Sequence, residues 1–145
     1  MKKPFEDDYI RMLTACNDYY NDVQLEHALS VEYYAITDSR FSFLTEEEKF
    51  IVRAVAIGHD LLEDTEVTAD YLYTLVSNPI IVETILLLTH NDYSPYEEYI
   101  RRVMSSDNVY AKLVKTADMR DHLSRKETLT PKLEAKYKTV LKYFL

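Results

Sequence analysis

Glycine is almost missing from this chain: Gly58 is the only one in 145 residues, and there are only four prolines. A many-stranded sandwich or barrel needs turn-forming residues every few positions. Long helices with short connections fit better. Tryptophan is absent, and the single Cys16 rules out an internal disulfide, which fits a reducing compartment. With no Cys/His tract to join for zinc, Cys16 reads as a core residue. No apolar run approaches the roughly 18–20 residues that span a bilayer. Met1-Lys2-Lys3 is followed at once by Pro4-Phe5-Glu6-Asp7-Asp8, unlike a secretory leader. A cytoplasmic protein with no membrane partner is expected. Basic residues are the minority, 17 against 25 acidic ones, for a formal charge of −8. Nucleic-acid binding through a basic footprint is therefore not expected. A phosphorylated small molecule is still compatible, because a metal and local Lys or Arg can offset the acidic field.

What is present describes a soluble globular chain, with 47% hydrophobic and 29% charged residues and enough length for a substantial core. No repeat, low-complexity tract or linker divides it, so residues 1–145 read as a single domain. Apolar spacing and start signals predict an all-α bundle of about seven or eight helices. They cover 5–20, 23–37, 45–64, 68–76, 79–89, 95–105, 109–123 and 131–144. The first helix carries Ile10, Leu13 and Cys16 on one side, and the second carries Leu25, Ala28, Leu29, Tyr33 and Ile36. Asn21-Asp22 is a start signal, and Thr45 with Glu48 forms a capping box. Ser94, Pro95 and Glu97 read as cap, first helical residue and box partner. His90-Asn91-Asp92 is a polar stop, with His90 a helix-end imidazole and a site role its alternative. Arg101 and Arg102 read as solvated charges, with phosphate contact left open. Most of the thirteen tyrosines fall at core-edge spacing.

One stretch stands apart. Ile51-Val52-Arg53-Ala54-Val55-Ala56-Ile57 is too apolar for a surface segment, and Gly58-His59-Asp60-Leu61-Leu62-Glu63-Asp64-Thr65 follows it directly. Read as one helix, it places His59 four residues before Glu63 and Asp60 four before Asp64, on one face. Buried carboxylates need a partner. A divalent cation is the obvious one, and His with carboxylate is a transition-metal ligand set. Gly58 inside the helix costs about 1 kcal/mol relative to Ala, which points to close approach of a neighbouring helix.

Three separated pieces then line up: His27-Ala28-Leu29-Ser30-Val31, His59-Asp60-Leu61-Leu62-Glu63-Asp64-Thr65, and Val114-Lys115-Thr116-Ala117-Asp118. Together they resemble the HD superfamily of metal-dependent phosphohydrolases. More narrowly they resemble the hydrolase domain of the Rel/SpoT enzymes that degrade (p)ppGpp, and its small stand-alone relatives. The order and rough spacing match over about residues 20–125. The resemblance implies an all-helical fold and a divalent metal, typically manganese, held by His27, His59, Asp60 and Asp118. It assigns Glu63 and Asp64 to catalysis, acting on the attacking water or the leaving group. The implied substrate is a nucleotide or related metabolite, and a homo-oligomer is compatible with the family.

The chain departs from that pattern at three places. Asp18 stands where the alarmone hydrolases carry an Arg, in the acidic, aromatic loop Asn17-Asp18-Tyr19-Tyr20-Asn21. His122 stands where they carry an Asn that contacts the sugar, and Ala28 replaces a Pro. Lys115 and Arg120, near Asp118 in sequence, are candidates for holding phosphate. The expected activity is therefore phosphohydrolysis of a nucleotide or phosphorylated metabolite. (p)ppGpp hydrolysis and 5′-nucleotidase action are alternatives, and a metal or nucleotide sensor is the non-enzymatic one.

Overall fold

The computed structural model describes residues 3–90, 93–125 and 127–144. Of the expected features, Met1-Lys2 of the N-terminal stretch and Asn91-Asp92 of the polar stop lie outside these residues. The described residues form an all-α bundle: eight helices of seven residues or more, one isolated α-turn and two short 3-10 turns. Among them no helix is long and apolar enough to cross a membrane.

Local chemistry sets most of the helix starts. Helix α1 (Pro4–Tyr19) begins on a proline, with Glu6 and Asp7 in its first turn, where a missing N–H and negative charge are both suited. Helix α2 (Asp22–Thr37) is capped by Asn21, whose side chain and that of Gln24 form a reciprocal box. Helix α3 (Glu46–Gly58) has the expected Thr45–Glu48 box. Thr68 caps α5 (Ala69–Leu75), Asn78 with Pro79 opens α6 (Pro79–Leu88), and Asn108 caps α8 (Val109–Ser124). Thr130 and Pro131 start α9 (Pro131–Val140), and the expected last helix tightens into a 3-10 turn over Leu141–Phe144. One start differs. At α7 (Tyr96–Met104), Pro95 occupies the cap position, not the first helical one, and Glu97 accepts from Tyr143 (2.9 Å) and pairs with Lys142 (3.1 Å).

Helix α3 is the central element. Ile51, Val52 and the whole run Ala54–Gly58 are buried, and α1, α2, α6 and α8 all pack on it. The expectation of one helix through residue 64 is corrected. α3 stops at Gly58, His59 and Asp60 form a turn, and α4 (Leu61–Asp64) is a single helical turn. The break has a partner. The Ile57 carbonyl accepts from the Tyr20 hydroxyl (2.9 Å) and the Cys16 thiol (3.2 Å) of the α1 end. An orphan carbonyl at a buried helix end needs such donors.

Packing also corrects two expected faces. On α1 the buried residues are Asp8, Met12, Ala15 and Cys16, while Ile10 is exposed. Asp8 is buried because its carboxylate accepts from the Ser77 and Asn78 backbone N–H groups and the Ser77 hydroxyl. On α2 the buried residues are Ala28, Val31, Glu32 and Ala35, and Leu29, Tyr33 and Ile36 are exposed. Small side chains let α2 lie close against both α3 and α8, and that double contact selects the face.

Candidate metal centre

Two helices and a turn bring the polar groups together. α2 supplies His27, the turn between α3 and α4 supplies His59 and Asp60, and α8 supplies Lys115, Asp118, Asp121 and His122. His59, Lys115, Asp118 and Asp121 are buried.

Each of the first two imidazoles has one nitrogen committed away from the centre. His59 Nδ1 lies 2.7 Å from the Ala56 carbonyl oxygen. A carbonyl only accepts, so Nδ1 carries the proton and a neutral ring directs its Nε2 lone pair inward. His27 Nδ1 lies 2.6 Å from Asp121 Oδ2, which also accepts from Arg125 Nε at 2.8 Å. Arg125 is itself held by Glu26 and Ser30. The two Nε2 atoms then converge. They lie 2.9 Å (His27) and 3.3 Å (His59) from Asp118 Oδ1, and 3.5 and 3.2 Å from Asp60 Oδ2. A backbone carbonyl and a carboxylate behind two ring nitrogens form the outer shell that orients metal-ligating histidines.

The electrostatics describe a site that takes protons where it can hold a cation. Burial opposes charge on His59, but Asp60 and Asp118 outweigh it and hold the imidazole well above its ordinary value. His27 is raised for the same reason, burial opposing and Asp118 prevailing. Burial alone would raise Asp118. The Lys115 ammonium, 2.9 Å from its Oδ2, and the surrounding imidazoles instead hold it well below the carboxylate range. Asp60 is lowered too, burial being overcome chiefly by His59. Binding a metal to such groups releases the imidazole protons. The donor set fits a divalent transition metal, and His27, His59, Asp60 and Asp118 can hold one ion.

Two cavities flank the centre and share Asp60, Asp64, His122 and Tyr137. The first, about 350 Å³, adds Val23, Gln24, Arg125, Leu129 and Leu133. The second, about 240 Å³, adds Glu63, His90, Tyr96, Tyr99, Lys115 and Lys136. Glu63 and Asp64 open onto these spaces. Both carboxyls are raised, first by burial and then by the Asp60 charge. Glu63 Oε1 accepts from the His90 backbone N–H at 3.0 Å.

The sequence-derived candidates divide accordingly. His27, His59, Asp60, Glu63, Asp64, Lys115, Asp118 and His122 are gathered at the centre or its cavities. Asp18 is exposed near the end of α1 and lines neither cavity. The Arg120 guanidinium lies over the Tyr34 ring, 4.8 Å from its centre, and also lines neither. His90 lines the second cavity, stacked on Tyr99 at 4.6 Å. Sequence reasoning missed Asp121 and Arg125, although Asp118, Asp121 and Arg125 follow the three- and four-residue spacing of one helix face. It also missed Lys136 of α9, while Tyr137, expected on the inward face of that helix, lines both cavities. No known protein-family pattern matches the chain, and no curated protein matches it.

Proposed function

We propose that this protein is a metal-dependent phosphohydrolase of the HD type, cleaving a phosphate or pyrophosphate ester of a nucleotide or related metabolite. The observation that carries the reading is the convergence of the His27 and His59 Nε2 atoms on Asp60 and Asp118, beside two further carboxyls in open cavities. Those residues are the ones that the three HD-like sequence pieces contain. A divalent cation held by His27, His59, Asp60 and Asp118, manganese by the family resemblance, supplies positive charge that polarises a phosphoryl group and acidifies water beside it.

The remaining chemistry belongs to the chain. Hydrolysis needs a proton taken from the attacking water and one delivered to the leaving oxygen as the phosphorus–oxygen bond breaks. Glu63 and Asp64 are raised toward the working range, as suits groups that both accept and donate. The His90 N–H fixes Glu63, and Asp64 reaches both cavities. Val23, Leu129, Leu133 and Tyr137 offer an apolar wall to a nucleoside. Lys115 and Lys136 bring positive charge to the opposite cavity.

The test is a phosphate- and pyrophosphate-release screen over nucleoside mono-, di- and triphosphates and (p)ppGpp, with manganese, cobalt or nickel added. Turnover of at least one substrate is expected, lost in Asp60→Ala with helicity retained. Metal binding without turnover of any substrate removes the enzyme reading and leaves a metal or nucleotide sensor.

A further inference from the structure

We propose that His122 is a further ligand of the same metal ion, through Nε2, so that the site holds its cation with three imidazoles and two carboxylates. This rests on the metal-centre reading above and adds a residue to it.

The crowding around one atom is the first argument. Asp118 Oδ1 has three imidazole Nε2 atoms around it, those of His27 at 2.9 Å, His122 at 3.2 Å and His59 at 3.3 Å. A carboxylate oxygen has two lone pairs to offer, so three ring nitrogens exceed what it can accept. A cation in their midst turns all three nitrogens into donors toward one centre. The ligand atoms of His27, Asp118 and His122 lie within 4.8 Å of one another, as do those of His27, His59 and Asp60. His27 belongs to both groups, and the 3.3 Å approach of His59 Nε2 to Asp118 Oδ1 links them further.

The second argument is orientation. His122 follows Asp118 by four residues on α8, the spacing that puts two ligands on one helix face. Its ring stacks on Tyr137 (5.3 Å between centres, 24° between planes) and tilts against His27 (4.7 Å, 33°). Packing on both sides thus aims Nε2 at the centre. Lys115 occupies the other oxygen of Asp118, leaving Oδ1 for the cation.

A third imidazole makes the donor set softer. Imidazole suits iron, nickel, copper and zinc, with cobalt between iron and nickel in the affinity order, whereas carboxylate and water suit manganese and magnesium. The site should therefore favour cobalt, nickel or zinc over manganese by a margin that depends on His122.

The experiment uses the purified full chain, stripped with a chelator and titrated with cobalt(II), comparing wild type with His122→Ala and His122→Asn. Readouts are cobalt affinity, bound-metal stoichiometry, the visible d–d absorption of bound cobalt and competition with manganese, with circular dichroism as the folding control. Both variants should lose more cobalt affinity than the roughly 10- to 100-fold typical of an outer-shell partner, shift the cobalt bands and narrow the preference over manganese. If the alanine variant loses helicity, the asparagine variant decides. Unchanged spectra, affinities and preference in the folded variants overturn the assignment while leaving the metal centre standing. A wild-type chain that binds no cobalt overturns both.

Discussion

Asp121 shows how much of the centre depends on a residue that need not touch a metal. Its carboxylate holds His27 Nδ1 at 2.6 Å and is braced by Arg125 at 2.8 Å, so it sets both the tautomer and the ring angle of His27. Asp121→Asn keeps the size but weakens the acceptor and its pairing with Arg125. Metal affinity should fall about 10- to 100-fold, with helicity unchanged, as measured by chelator competition. An unaltered affinity would show that packing alone orients the ring. The sequence displays Asp121 three residues from Asp118, but the partner that gives it meaning lies 94 residues away on α2. Asp18 and Arg120 are the converse. Alignment with the family pattern or nearness to Asp118 nominated them, and neither lines either cavity at the centre.

At the scale of elements, the junction of α3 and α4 sets the site. Gly58 is the last residue of α3, and a Cβ built there would lie 2.7 Å from Met12 Sδ and 3.2 Å from Ile85 Cδ1. The close approach expected from a mid-chain glycine is therefore real, with α1 and α6 as the neighbours. Gly58→Ala sets a helix-propensity gain of up to about 1 kcal/mol against overpacking of about 1–3 kcal/mol. Met12 is fully buried, with little room to move aside. A net loss of about 1 kcal/mol is expected in urea unfolding, and a gain would show that Met12 yields. The helix starts were legible because capping is local. The buried face of α2 was legible only at Ala28, because positions 29, 33 and 36 keep the helical period as well as 28, 31 and 35 do, and it is the neighbours that select the small Ala28, Val31 and Ala35 over the bulkier Leu29, Tyr33 and Ile36.

For the whole molecule, the protons on the centre couple stability to pH. In the metal-free protein His27 and His59 are raised. Their contribution is present below the unfolded histidine value of about 6.5 and is lost as pH rises through the folded values. Asp60 and Asp118 are lowered. Theirs is present above the unfolded value of about 3.9 and is lost as pH falls through the folded ones. The contribution of these groups to metal-free stability is therefore greatest between about pH 4 and 6.5 and declines above. Metal binding needs neutral imidazoles and strengthens over the same rise. The Tm of chelator-treated protein should drop from about pH 6 to 9, while the increment on adding cobalt or manganese widens. A constant increment would separate the imidazoles from the metal.

The sequence by itself determined the all-helical class, most of the helix starts and the composition of the centre. Periodicity, capping and ligand chemistry are written in residue type and short spacing. Only the tertiary structure decided where α3 breaks, because the donors that receive the Ile57 carbonyl come from α1. It alone put Asp121 behind His27 and brought His122 to the same oxygen as His27 and His59. Those contacts join residues far apart in the chain, and helix packing in space brings them together. The stretch from Gly58 to Thr65 therefore supplied His59 and Asp60, and α2 and α8 decided the geometry in which they meet His27 and Asp118.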